Sequence, residues 1–343
     1  MEIPIINIYY LLCYAWDKLE EKNIVEVKEE DHTDLLNLFA KVLVNGMNHL
    51  IKKGLDRNYV DIKEDSKCIK GKIDFNETLK RNLLIRSEIN CQFDDFSYNI
   101  LHNRIIKTVI GDLIRSDELD QELKEELNII FRLLKEIDEI KLSSKIFKTV
   151  KLNRNNYFYD FLIKICRLIY DNYLITEETG SGKFKDFTRD EAKMGSLFES
   201  FVRNFYRREQ EEFSVTRERI KWNIEAEEEK DMRYMPQMET DISLRSKSKK
   251  LIIDTKYYKE ALKGRYEDKI ISVNLYQMFA YLKNIENKGG LDKDCTGMLL
   301  YPTVKKDLDL RYNLPNHNLQ IKTINLNQEW KKIHQDLLSL IAV

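Results

Sequence analysis

The sequence predicts an α/β protein of two domains, residues 1–150 and 151–343, and three observations carry that expectation. Apolar residues recur at helical spacing through most of the longer segments. Runs that alternate apolar and polar residues interrupt them, between residues 58 and 98 and again beyond 213. Finally, Asp241-Ile242-Ser243-Leu244 and Leu251-Ile252-Ile253-Asp254-Thr255-Lys256 flank the polar turn 245–250, which reads as a β-hairpin. The polar stretch 141–151, with its Ser143-Ser144 pair, sets the boundary.

Composition narrows the classes. With 43% hydrophobic residues the 343-residue chain can bury real cores, and with 34% charged residues its surface is heavily solvated. A net charge of -1 gives no global pull on nucleic acid, so DNA contact has to come from local patches. The five cysteines are odd in number, widely spaced and without a Cys-x-x-Cys pair, which argues against a disulfide framework or zinc knuckle and fits a reduced cytoplasm. No basic flank precedes the first apolar run and no run reaches roughly 18 apolar residues, so neither a secretion signal nor a membrane span is expected.

In chain order, Ile3 to Trp16 predicts a buried helix with Asn7 as its N-cap. Asp31-His32-Thr33-Asp34 caps a second helix running to Lys53, whose Leu35, Leu38, Phe39, Val42, Leu43, Met47 and Leu50 share one face. His32 and His49 lie too far apart there to form a metal pair. Residues 58–98 read as a compact sheet in which Cys68 to Phe75 alternates, placing Lys70, Lys72 and Asp74 on one exposed polar face. That face suits a contact module; an ordinary half-buried sheet explains it equally well. Helices are expected over Asn99–Ile114, Glu118–Glu139 and Asn156–Asn172.

Gly180-Ser181-Gly182-Lys183 lacks the leading Gly and the Ser/Thr after Lys of a phosphate-binding loop, so it reads as a turn and the chain is not expected to bind GTP itself. Asp190–Glu209 is a helix with Met194, Leu197, Phe198, Phe201, Val202 and Phe205 inward and Glu199 at the edge of that stripe. Phe213–Ile224 alternates like a strand. Ser272–Asn284 is a helix on which Gln277 and Tyr281, four apart, share a face. Thr296–Tyr301 and Leu319–Leu326 are strands, and Gln328–Ile341 closes the chain as an amphipathic helix.

The chemistry concentrates at the end of the hairpin. Alternation points Asp254 and Lys256 the same way, and Asp241 can meet them from the neighbouring arm. A buried strand that ends in polar residues explains an isolated Asp-x-Lys; the upstream Asp241 favours a site. Two carboxylates can bind Mg²⁺, with Mn²⁺ also possible, and leave positions for water and a phosphate oxygen. Lys256 can then orient the water and offset developing charge. The Thr255 carbonyl is a further candidate ligand, and Glu199 a metal or water ligand. Tyr257, Lys259, Lys263 and Arg265 interleave aromatic and basic residues beside this point, a pattern suited to DNA phosphates and equally to a solvated basic loop.

Asp241 followed by Asp254-Thr255-Lys256 resembles the PD-(D/E)xK nuclease superfamily, and Gln277-x-x-x-Tyr281 its RecB-like branch. Over nearly the whole length the chain is similar to the McrC family, nuclease subunits of McrBC modification-dependent restriction systems. The N-terminal likeness rests on Ile5 to Asp17, Lys70-Gly71-Lys72-Ile73-Asp74-Phe75, Phe93-Asp94-Asp95-Phe96 and Asn103-Arg104. The C-terminal likeness rests on Leu197-Phe198-Glu199-Ser200-Phe201-Val202, Asn204 to Glu209, Asp241 and Asp254-Thr255-Lys256.

The resemblance implies a partner-binding α+β module at 1–150 and a restriction-endonuclease-like domain with a mixed central sheet at 151–343. It implies Mg²⁺ on Asp241 and Asp254, water support from Lys256, and supporting roles for Glu199 and Gln277. It also implies a hexameric McrB-like AAA+ GTPase that holds the GTP and has its hydrolysis stimulated by the N-terminal half, with Lys70, Lys72 and Asp74 as contacts. Double-stranded DNA would be cut after translocation by a nuclease acting as a dimer. A non-catalytic GTPase-activating regulator and a stand-alone RecB-like repair nuclease are the alternatives.

Overall fold

Helix α1 (Ile5–Ala15) opens the chain and folds with its C-terminal half. The computed structural model describes residues 3–20, 34–152, 156–175, 182–258, 262–263, 269–303 and 306–342, with backbone alone at 174–175, 182–183, 262–263 and 269. It divides into one body of residues 20–185 and another of residues 1–19 with 186–343, so neither cut falls at the expected residue 150. Asn7 explains the first shift. The helix starts after Pro4 rather than at Asn7, whose buried Nδ2 instead donates to the carbonyls of Leu326 (2.9 Å) and Gln328 (2.8 Å). At the other end Asn204 Nδ2 donates to the Tyr14 and Ala15 carbonyls at 3.0 and 3.1 Å, capping the last turn of the helix.

The 20–185 body contains α2 (Leu35–Lys53), β1 (Asn58–Ser66), β2 (Lys72–Ile73), α3 (Phe75–Lys80), β3 (Ile89–Ser97), α4 (Leu101–Arg115), α5 (Gln121–Leu133), α6 (Ser144–Thr149), α7 (Tyr157–Asn172) and the hairpin β4 (Tyr173–Ile175)–β5 (Gly182–Phe184). Asp34 caps α2, its carboxylate accepting from the Asn37 amide at 2.9 Å; His32 lies outside the described residues, as do Gly180 and Ser181. Leu38, Phe39, Ile106, Ile110, Leu127, Phe161 and Ile165 bury the helices' apolar stripes. Helix α7 packs so closely on α2 that a Cβ at Gly46 would stand 2.5 Å from Leu162 Cδ2. That contact carries the first body past residue 150 to 185.

Its three-stranded antiparallel sheet runs β1-β3-β2. Here the expected polar face of Lys70, Lys72 and Asp74 is not formed. Gly71 takes φ 63°, a left-handed conformation, and a Cβ there would meet the Gln92 carbonyl at 2.6 Å. The alternation breaks at that residue and the strand shrinks to Lys72–Ile73. Lys70 pairs with Glu64 at 2.7 Å, while Asp74 caps α3 by accepting from the Glu77 amide at 3.1 Å. Among its charged exposed residues this module also exposes large apolar ones: Tyr59, Ile69, Phe75, Leu79, Leu84, Ile85 and Phe96 are each more than half exposed, Ile85 to 85%.

The other body continues from α1 with α8 (Glu191–Glu209), β6 (Ser214–Thr216), β7 (Arg219–Ile220), β8 (Met238–Glu239), β9 (Ile242–Arg245), β10 (Lys250–Thr255), β11 (Leu262–Lys263), β12 (Lys269–Ile270), α9 (Ser272–Ile285), β13 (Thr296–Pro302), β14 (Asp309–Leu314), β15 (His317–Ile324) and α10 (Trp330–Ile341). Six strands form one sheet in the order β14-β15-β13-β10-β9-β6, parallel at β10/β13 and β13/β15 and antiparallel elsewhere. This is the mixed sheet of an α/β fold. Helix α9 connects two parallel strands and packs on the sheet through Met278 and Leu282 with Ile252, Leu299 and Ile321. A Cβ on Gly297 would meet Met278 Sδ at 2.7 Å, so any larger residue would push the Met278 side chain aside. The run 213–224 expected as one strand splits: β6 joins the main sheet and β7 pairs with β8. Edge strand β14 was not expected, because its pattern is polar and largely exposed.

All five cysteines are free. No helix among the described residues is long and apolar enough to cross a membrane.

Candidate active site

Register sets the first relation in the site. Strands β9 and β10 pair as far as Ile242 with Ile253, and Asp241, the residue before β9, reaches past that pair to Thr255 with its charge bearing on Asp254. Asp254 alternates with Ile252 and therefore faces the layer covered by α9. It is fully buried, and its Oδ1 has no hydrogen-bond donor. Lys256 Nζ forms an ion pair with its Oδ2 at 2.8 Å. Burial, reinforced by the Asp241 charge, pushes the Asp254 carboxyl up to about 7 against the pull of Lys256.

Asp241 is better served. Its Oδ2 accepts from the Thr255 amide at 2.8 Å and from Thr255 Oγ1 at 2.9 Å. Its carboxyl is nevertheless raised, by burial first and by the Glu199 charge second. Lys256 is pulled down by burial, but Asp254 and Asp241 outweigh that and hold it above the usual ammonium value. Its Nζ donates to Gln277 Oε1 at 3.0 Å, Gln277 Nε2 donates to Tyr281 Oη at 2.7 Å, and Tyr281 donates to the Glu239 carbonyl at 2.9 Å. Thus the pair expected on one face of α9 ties Lys256 to the strand before the hairpin. Lys256 N–H donates to the Leu300 carbonyl at 2.9 Å, which keeps the strand end paired to its parallel neighbour.

Glu199 reaches the same end of the sheet from α8 but faces cations. Its Oε1 accepts from Arg203 Nη1 at 2.7 Å and lies 3.2 Å from Arg217 Nη2. Arg203 is one turn on in the same helix, a spacing readable in the sequence; Arg217, on the link between β6 and β7, gave no such signal. Tyr258, Asn274 and Tyr301 form a second hydrogen-bonded group that sequence reasoning also missed, with Asn274 Nδ2 donating to Tyr301 Oη at 3.0 Å.

Of the residues expected at DNA, Tyr257 is half-buried with its ring edge-on to Phe198. Lys259 and Arg265 lie outside the described residues, and Lys263 is described by its backbone pairing with Lys269 alone. Among the described residues no group of three His, Cys, Asp or Glu side chains is set to hold a metal ion. The donors present still fit a hard divalent cation: two neighbouring carboxylates, one with its Oδ1 lacking a donor, suit an ion that completes its shell with water and phosphate oxygen.

A family described as "McrBC 5-methylcytosine restriction system component" matches residues 7–302. The chain belongs to this McrBC family. A relative from Escherichia coli K12, the type IV methyl-directed restriction enzyme EcoKMcrBC, is 34% identical over 98% of this chain and 97% of its own length. In a Thermococcus gammatolerans assembly of McrB AAA+ hexamers with bound McrC, one chain shares the fold with a TM-score of 0.62 at 15% identity, over 98% of this chain and 76% of that one. A second T. gammatolerans McrBC complex aligns over 60% of this chain and 58% of its own with a TM-score of 0.43. As a McrBC-family member the chain is a restriction-system component.

Proposed function

We propose that this McrBC-family chain is the Mg²⁺-dependent endonuclease subunit of a modification-dependent restriction system. One observation carries the reading: a fully buried carboxylate, Asp254, with no hydrogen-bond donor on Oδ1, under the charge of Asp241 and paired with Lys256. Burying a charge in that state is costly unless an ion satisfies it. Bound Mg²⁺ would polarise a phosphoryl oxygen and acidify water. Asp241 and Asp254 would hold it together with the Thr255 carbonyl, and Mn²⁺ suits the same donors. Thr255 fixes Asp241 through two hydrogen bonds. Lys256, held by Gln277, would orient the attacking water and offset charge on the phosphate.

The partner follows from the first body and the family. Seven large apolar side chains of the 58–98 module stand exposed, which supports this module as the one that another protein covers. The T. gammatolerans assembly, in which McrB AAA+ hexamers bind McrC, supports an AAA+ GTPase ring as that protein. The ring would carry the GTP and read the modified base, and the 20–185 body would stimulate its hydrolysis. Cutting both strands of a duplex needs two sites, which supports a paired nuclease in the cleaving assembly.

The test is cleavage of methylated and unmethylated DNA with and without Mg²⁺, GTP and the cognate ring protein. Cutting that requires all of them is expected. Cutting of any duplex by the chain and Mg²⁺ alone would replace this reading with a stand-alone nuclease, and no cutting with GTPase stimulation intact would replace it with a regulator.

A further inference from the structure

Resting on the nuclease reading, we propose that Arg217 is a phosphate-gated positioning residue: it holds Glu199 away from the Asp241–Asp254 pair until a DNA phosphate takes its guanidinium. The two arginines on Glu199 Oε1 are unequal. Arg203 sits in the same helix as Glu199, has a side chain only 14% exposed, and its Nη1 also reaches the Asp241 carbonyl at 3.5 Å. It is a fixture, and through it Glu199 is one contact away from Asp241. Arg217 stands between β6 and β7 with a side chain 45% exposed, and it divides itself between Glu199 at 3.2 Å and Glu239 at 3.6 Å.

A half-exposed ion pair of this kind is weak, because water screens it. A guanidinium on a phosphate forms two parallel charge-assisted hydrogen bonds and is favoured over it. A phosphodiester arriving at the site would therefore displace the weaker pairing. Glu199, still tethered by Arg203, would then turn a third carboxylate toward the cation position. Without DNA the site would offer two carboxylates; with DNA it would offer three. Metal and substrate would bind cooperatively, and an idle subunit would hold its metal loosely.

Linkage makes this measurable without cleavage, since DNA must raise metal affinity by the factor by which metal raises DNA affinity. Mn²⁺ binding to the full chain is titrated calorimetrically, with and without a short duplex carrying a non-cleavable backbone. In the wild type the duplex should tighten Mn²⁺ by about fivefold or more. In Arg217→Gln the DNA-free protein should already bind Mn²⁺ tighter by about the same factor, and the duplex should add little. A misfolded variant would lose affinity rather than gain it. Because removing a positive charge could by itself attract a cation, the substitution is repeated in Glu199→Gln, where the gain should vanish. DNA-free affinity unchanged or weaker in Arg217→Gln, or a gain that persists in Glu199→Gln, would overturn the gating role. The nuclease reading fails separately, if the wild type binds no Mn²⁺ with or without DNA or if Asp254→Asn binds it as the wild type does.

Discussion

Strand β10 carries a buried charge at its first residue, Lys250, and another at its penultimate one, Asp254, and the two are built differently. At its start Lys250 is buried, with Glu218 2.6 Å from Nζ, Asp292 in direct contact, and Arg245 and Lys288 completing the group. Burial alone would raise both acids, but Lys250 and its neighbouring cations hold Glu218 and Asp292 below the usual carboxylate range. Near its end Asp254 is buried between the Asp241 carboxylate's charge and one paired ammonium, Lys256 at 2.8 Å. Four residues apart on one strand, the first charge is fully compensated and the second is met by one ammonium that burial and the Asp241 charge outweigh. Burial of a charge is thus a poor marker of a site, because a fully paired group is a structural device. The informative feature is the incomplete compensation.

The largest expected effect separates the two ends by function. Asp254→Asn should lower cleavage by roughly a thousandfold or more while partner binding and GTPase stimulation stay intact. Near-wild-type cutting in a clean preparation would move the active site elsewhere. Lys250→Met should do the reverse. It leaves Glu218 and Asp292 without their central partner, so unfolding in urea should show a loss of about 3–5 kcal/mol, and a stability change below about 1 kcal/mol would remove the distinction drawn between the ends.

A finer test uses pH on the metal-free protein. Burial holds the Asp254 carboxyl up at about 7 in the folded protein, well above a free carboxyl. Between the two values the folded state holds a proton that the unfolded state has lost, so stability should fall as pH rises from roughly 4 toward 7. Glu218 and Asp292, both lowered, act with the opposite sign: their contribution is complete above the ordinary carboxylate range and is lost as pH falls below it. Asp254→Asn should therefore flatten the neutral limb and raise the melting temperature at pH 8, and a lower melting temperature there would contradict the incompletely compensated charge. The smallest effect is at Gln277. Gln277→Leu leaves Lys256 to Asp254 alone and should cost about tenfold in kcat with stability nearly unchanged; a kcat equal to wild type would exclude a positioning role.

The hairpin, the α8 stripe and the Gln277–Tyr281 pair were legible because local patterns set them: strand alternation, helical spacing and a turn between two apolar runs. The failures were of two kinds. Lys70, Lys72 and Asp74 looked like one strand face because alternation continues across Gly71, and the left-handed backbone that interrupts it is set by the close approach of Gln92. Asn7 looked like a cap because caps are read from residue type alone, whereas the atoms it serves are more than 300 residues away. Arg217 was invisible for the same reason, since its partner Glu199 lies across a turn with no fixed spacing.

By itself the sequence determined the kinds of element and the identities of the reactive groups, since periodicity and side-chain chemistry are local properties. Only the tertiary structure decided that α1 belongs with residues 186–343, that Asp241 is held by Thr255 with its charge on Asp254, and that Lys250 is neutralised while the Asp254 carboxyl stays raised. Each of those depends on which distant groups occupy the same few cubic ångströms, and the strength of a buried charge is set by those neighbours rather than by the residue that carries it.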